Sequence, residues 1–141
     1  MTPGGVPSPE RITYAMIHEK IEHYLTHLAL NYNAVERGVW VIQEPDKGLA
    51  QVFVTCVSPA VSIRTKLMDV PDEEYAAFCE ELLRLNLELL RGAYALEENN
   101  AVLVDSFPED ELNLERFQSS LDAIGLTISE HYPRLSRFSR S

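Results

Sequence analysis

Sulfur, cationic charge and long apolar runs are all scarce in this chain, and each scarcity excludes something. The two cysteines, Cys56 and Cys79, stand far apart with no CxxC pairing and no histidine close by in sequence. That spacing argues against a cysteine-based zinc site and a local Cys–His nucleophile, and it predicts two small buried hydrophobes in a reducing compartment rather than a disulfide. No stretch approaches the roughly 20 apolar residues that span a bilayer, and the opening MTPGGVPSP has neither the basic start nor the apolar run of a secretory signal. The expectation is a cytoplasmic protein with no membrane partner. A GxSxG elbow and a glycine-rich phosphate loop are also missing, so nucleophilic catalysis and nucleotide binding have no local support. The chain is expected to be no enzyme and to need no cofactor.

What is present is enough for one folded unit. At 141 residues and 45% hydrophobic content, the chain can bury about two-thirds of its unfolded surface in a single core. Lys and Arg number 12 against 22 Asp and Glu, and the imbalance is local. From Asp72 to Glu130 there are 15 acidic residues and three arginines, whereas residues 1–70 hold seven acidic and six basic ones. Such a surface repels phosphates and attracts basic partners. Direct nucleic-acid binding is not expected, and a partner protein would be basic or itself associated with nucleic acid. Solubility alone is the plainer explanation of the charge.

Ser8 before Pro9 starts the first helix. Ile17, Ile21, Tyr24 and Leu28 then recur at helical spacing and bury one face to about Asn31. The same helix carries His18, Glu19, Glu22, His23 and His27. A zinc protease needs HExxH, but HEKIE puts glutamate where the second histidine belongs, and His23 with His27 lacks a third ligand. No metal site is expected.

Val35 to Gln43, Gln51 to Val57 and Val61 to Met68 read as three sequential antiparallel strands separated by turn residues. The third alternates cleanly. The first two are apolar on both faces, so Trp40, Ile42 and Phe53 are candidates for client contact as well as for ordinary core. The second helix should begin at an Asp72 cap and end at Gly92. Its apolar arc, from Tyr75 to Leu90, spans roughly 200° at 100° per residue, wider than packing on one sheet requires. Leu83, Leu87 and Leu90 on the outer flank are therefore candidates for a dimer contact; the alternative is that they face another helix of the same chain. Asn86 lies inside this arc, where an unsatisfied amide would cost about 1–3 kcal/mol. It is expected to tie the helix to nearby backbone rather than to meet a ligand.

Ala93 to Leu96 and Ala101 to Ser106 flank a turn and predict a hairpin. Asn113 then caps a third helix whose stripe runs through Phe117, Leu121, Ile124, Ile128 and Tyr132 and stops before Pro133. Gly125 on that side allows another backbone to approach. The order is α-β-β-β-α-β-β-α, an α+β domain with a five-stranded antiparallel sheet. Residues 1–8 are expected to be a flexible lead, 9–135 the domain, and 136–141 a basic tail.

The element order, the segment ELLRLNLELLRGAYAL, the following VLVDSFP and the entry ELNLERF together resemble the YbjN family and the related class I type III secretion chaperones of the CesT-like kind. The resemblance covers nearly the whole chain. It implies a small acidic bacterial homodimer without enzymatic activity, an adaptor or chaperone-like regulator that binds a client protein through hydrophobic sheet surface and a strand edge. The other expectation is a small-molecule-sensing regulatory domain, with a ligand pocket between helices and sheet.

Overall fold

The computed structural model describes residues 9–139, and side chains from Ala15 onward. The expected flexible lead 1–8, Ser8 with it, and the last two tail residues lie outside that range. Helix α1 spans Pro9–His27, strand β1 Tyr32–Glu36, β2 Val39–Glu44, β3 Leu49–Val57 and β4 Ala60–Asp69. Helix α2 spans Tyr75–Leu85, β5 Ala93–Glu97, β6 Asn100–Pro108 and α3 Leu114–Leu135. The strands form one antiparallel sheet in the order β1-β2-β3-β4-β6-β5. This is the expected α+β fold with six strands instead of five. The difference arises at Arg37–Gly38, where Gly38 at φ 78° turns the chain, so the stretch read as one strand from Val35 to Gln43 is two arms of a hairpin.

Alternation along the strands gives the sheet two unlike faces. Trp40 and Ile42, Val52 and Val54, Val61 and Ile63, Leu103 and Phe107 point to one face. There they share a single core with Ile17, Ile21 and Leu25 of α1, Phe78, Leu82 and Leu85 of α2, and Phe117, Leu121 and Ile124 of α3. The other face is the row Val41, Phe53, Arg64, Val104 and Ala93, which pair strand to strand in that order. The apolar second faces of β2 and β3 are real, yet no helix among the described residues covers them.

Helix α2 is shorter than its pattern predicts at both ends. Val70 is still buried and its N–H bonds to the Asn99 carbonyl, so the chain needs residues 71–74 to leave the sheet; Glu74, at φ 58°, precedes the first helical residue in place of Asp72. At the far end α2 yields to a 3-10 turn over Asn86–Glu88, and Leu89 is already extended. Gly92 therefore ends no helix. It sits at φ 78° just before β5, where an added Cβ would lie 2.6 Å from the Val104 carbonyl oxygen of β6, so it is there to let β5 dock. Helix α3 begins at the expected cap, the Asn113 side chain accepting from the Arg116 N–H at 2.8 Å. It runs through Pro133 to Leu135, with His131 rather than Tyr132 buried. Phe138 beyond it packs on Phe78 at 5.3 Å between ring centroids, so the folded unit includes residues up to Ser139.

The β5–β6 turn offers a simple stability test. Glu98 occupies the left-handed region at φ 55°, where a Cβ costs on the order of 1–2 kcal/mol and glycine costs nothing. Allowing for the extra freedom glycine gains in the unfolded chain, Glu98→Gly is expected to raise stability by up to about 1 kcal/mol in urea denaturation.

Candidate protein-binding surfaces

Four of the large apolar side chains left in solvent belong to α2, β5 and the segment that joins them. Leu83 on α2 is 69% exposed, Leu87 in the 3-10 turn 90%, Leu90 in the following loop 102% and Leu96 on β5 42%. Leu83 and Leu96 line a cleft of about 250 Å³ with Cys79, Leu82, Asn86 and Tyr94, and Leu87 and Leu90 follow Asn86 in the turn and loop that lead to β5. The three leucines expected at a dimer contact are all exposed, although only Leu83 lies on a helix. None of the three faces the chain's own core.

That surface is held in shape by polar ties. Asn86 Oδ1 accepts from the Tyr94 N–H at 2.7 Å, the backbone bond expected of it, joining the end of α2 to β5. Burial pushes the Tyr94 hydroxyl up to about 12, so it stays a neutral donor; its oxygen lies 2.7 Å from His131 Nδ1. His131 Nε2 faces Glu88 Oε1 at 3.3 Å, and Arg134 donates to both oxygens of Glu88 at 2.9 and 3.0 Å. The hydrogen bond from Arg134 holds the Glu88 carboxyl below its ordinary value. The pattern suits an imidazole that accepts from Tyr94 and donates to Glu88, so the loop bearing Leu87 and Leu90 is fastened to α3.

The opposite edge, β1, ends the sheet with its outer backbone groups unpaired by any described strand. Of the three residues expected to contact a client, only Phe53 is near such a surface, half-buried on the uncovered face. Trp40 and Ile42 are core. Trp40 is 0% exposed, donates from Nε1 to Glu22 Oε2 at 2.9 Å and packs against the His18 ring. Their β-strand alternation is the reason: with helices on one side only, an apolar residue facing α1 is buried whatever else it could do. Arg64, missed in the sequence, stands amid the uncovered face and pairs with Glu97.

Reactive chemistry is thin. Among the described residues no three His, Cys, Asp or Glu side chains converge to hold a metal ion. His23 and His27 sit 6.3 Å apart between ring centroids on α1. Both cysteines are free thiols, and burial, helped by the Glu109 carboxylate, pushes Cys56 up to about 12. Ser120 donates to Asp105 at 2.5 Å and has no histidine beside it. Between helices and sheet, where a ligand pocket is the other expectation, Trp40, Phe78, Phe117 and Leu85 are fully buried side chains of the core. No described helix is long and apolar enough to cross a membrane.

The family model CesT_Tir_1 matches residues 15–141. The chain belongs to the CesT_Tir_1 family of type III chaperones. No curated protein matches it in sequence. Among solved structures it is similar to YbjN from E. coli, with 12% identity and a TM-score of 0.63 over 83% of this chain and 92% of that one. It is similar to a chain of the HopA1–SchA chaperone–effector complex, with 10% identity and a TM-score of 0.66 over 88% of this chain and 97% of that one. A chain of the heterodimeric ExoU–SpcU complex from the type III secretion system of Pseudomonas aeruginosa shows 15% identity and a TM-score of 0.61, covering 84% and 96%. At these identities the likeness concerns the fold.

Proposed function

We propose that this protein is a cytoplasmic, non-enzymatic chaperone-like adaptor that works as a homodimer and holds a segment of a client protein. The observation that carries the reading is the exposure of Leu83, Leu87, Leu90 and Leu96 on the segment that runs from α2 into the unpaired edge strand β5, in a chain whose family is that of type III chaperones. Burying a leucine side chain is worth about 1.5–3 kcal/mol, and four solvated leucines within one short stretch of fold are a liability unless another surface covers them. A second copy supplies a matching surface by two-fold symmetry. With β5 so occupied, β1 and the uncovered face carrying Phe53 stay open for an extended client segment, which gains main-chain bonds at the edge and places alternate side chains on the sheet. The net charge of −10 favours a basic client.

The test is mass in solution. Wild-type protein is expected at twice the 16.0 kDa chain mass in light scattering at tens of micromolar, and Leu87→Lys/Leu90→Lys at the chain mass. Because both residues are exposed in the protomer, the variant should still melt cooperatively, losing only the stability that association adds. A monomeric wild type would sink the homodimer.

A further inference from the structure

A groove on the far side of the molecule from the β5 edge is not used by this reading. It runs along the flank of α3 and has a volume of about 500 Å³. Its floor and lip are Leu28, Leu30, Leu49, Leu121 and Leu126, the last 62% exposed. The facing wall is the turn Pro45–Lys47, which reaches α3 at the one point where α3 has no side chain: a Cβ on Gly125 would lie 3.2 Å from the Lys47 carbonyl oxygen. Asp46 and Asp122 rim the groove, against the single cation Lys47.

We infer that this groove is a docking site for a short amphipathic helix with a basic flank, from a partner protein. Two observations choose a helix over an extended strand. The groove has no open sheet edge, and backbone N–H groups along its walls are already paired: Leu28 with Tyr24, Ala29 with Thr26, Leu30 with Leu25 and Gly48 with Pro45. An extended segment would leave its own backbone unpaired against leucines, whereas a helix arrives with its backbone satisfied. Length agrees, since Gln118 to Ser129 along α3 measures about 16 Å at 1.5 Å per residue, room for about three helical turns. A leucine stripe at i, i+3, i+4 and i+7 would lie on the leucine floor while lysines beside it meet Asp46 and Asp122. The site goes beyond the dimer and strand-edge reading and does not depend on it.

Three fluorescein-labelled 12-residue probes test it by anisotropy. One carries that leucine stripe with flanking lysines, one has the same composition permuted to destroy the stripe, and one has glutamates in place of the lysines. Only the first should bind saturably, moving amide resonances of Leu30, Gly48, Gly125 and Leu126. Leu126→Glu and Asp122→Lys should each weaken it at least tenfold, whereas Glu73→Lys, an exposed acidic residue elsewhere, should change it less than twofold. Each variant is exposed at the surface, and its thermal melt confirms that it folds. Equal binding of the permuted probe, indifference to Leu126→Glu, resonance shifts at β1 or β5 instead, or no saturable binding would each overturn the proposal. So would a drop in mass for Leu126→Glu, which would make a second copy the occupant. The Leu87→Lys/Leu90→Lys variant keeps this groove and should still bind the first probe, so a failure of the homodimer and a failure of the groove are read separately.

Discussion

Replacing Trp40 with alanine is expected to destabilise the protein by about 3–5 kcal/mol, the cost of emptying a fully buried aromatic site. That is a large part of the roughly 5–15 kcal/mol a domain of this kind possesses, so the variant should be partly unfolded at 37 °C. The reasoning rests on position. Trp40 lies at 0% exposure under α1, its ring against His18 and its Nε1 bonded to Glu22, so its loss opens a void between helix and sheet and removes a tie that orients α1. Phe53, one strand over and on the uncovered face, has no helix above it, and Phe53→Ala should cost clearly less. Urea denaturation followed by far-UV circular dichroism measures both. A Trp40→Ala protein of unchanged stability that no longer held its client would return Trp40 to the surface.

The contrast between these two residues shows what the sequence could convey. Both sit in runs that are apolar at every position, and period-two alternation sorts such a run into two faces without saying which face the helices cover. The cover is a tertiary fact, set by where α1 and α3 land. Local rules did better where the chemistry is local. Asn113 caps α3 because a side-chain acceptor satisfies an early helical N–H wherever the helix packs. Asn86 bonds to nearby backbone because a partly buried amide must bond to something. Gly125 marks a close approach because the absence of a side chain on a packed face leaves room for one. The turn at Arg37–Gly38 carries its own signal, a glycine after the charged pair Glu36 and Arg37, yet the strand-forming Val35 before it and the apolar run Val39 to Ile42 after it suggest one continuous strand. The end of α2 was not visible at all: Leu87, Leu89 and Leu90 continue a helical period that the chain abandons at Asn86, because the Asn86 bond to Tyr94 draws the backbone toward β5. Hence the exposed leucines were legible as residues, and their scaffold of turn and strand was not.

The acidic half of the molecule contains one nearly buried cation, and it governs the second large effect. Arg116 on α3 places Nη1 3.1 Å from Asp105 Oδ2 and 2.5 Å from Ser120 Oγ, with its guanidinium 4.2 Å over the Phe107 ring. Its side chain is 16% exposed, against 8% for that of Asp105. Breaking such a pair from one side leaves an uncompensated charge in a poorly solvated site, at about 3–5 kcal/mol. Arg116→Met is therefore expected to lose about that much stability at pH 7. Asp105→Leu added to Arg116→Met should recover most of the deficit, since an apolar pair of similar volume replaces a buried ion pair at little net cost. A double-mutant cycle in urea separates the coupling from the two single losses. Additive losses would show that Arg116 and Asp105 act independently, and that α3 is held to β6 by apolar packing alone.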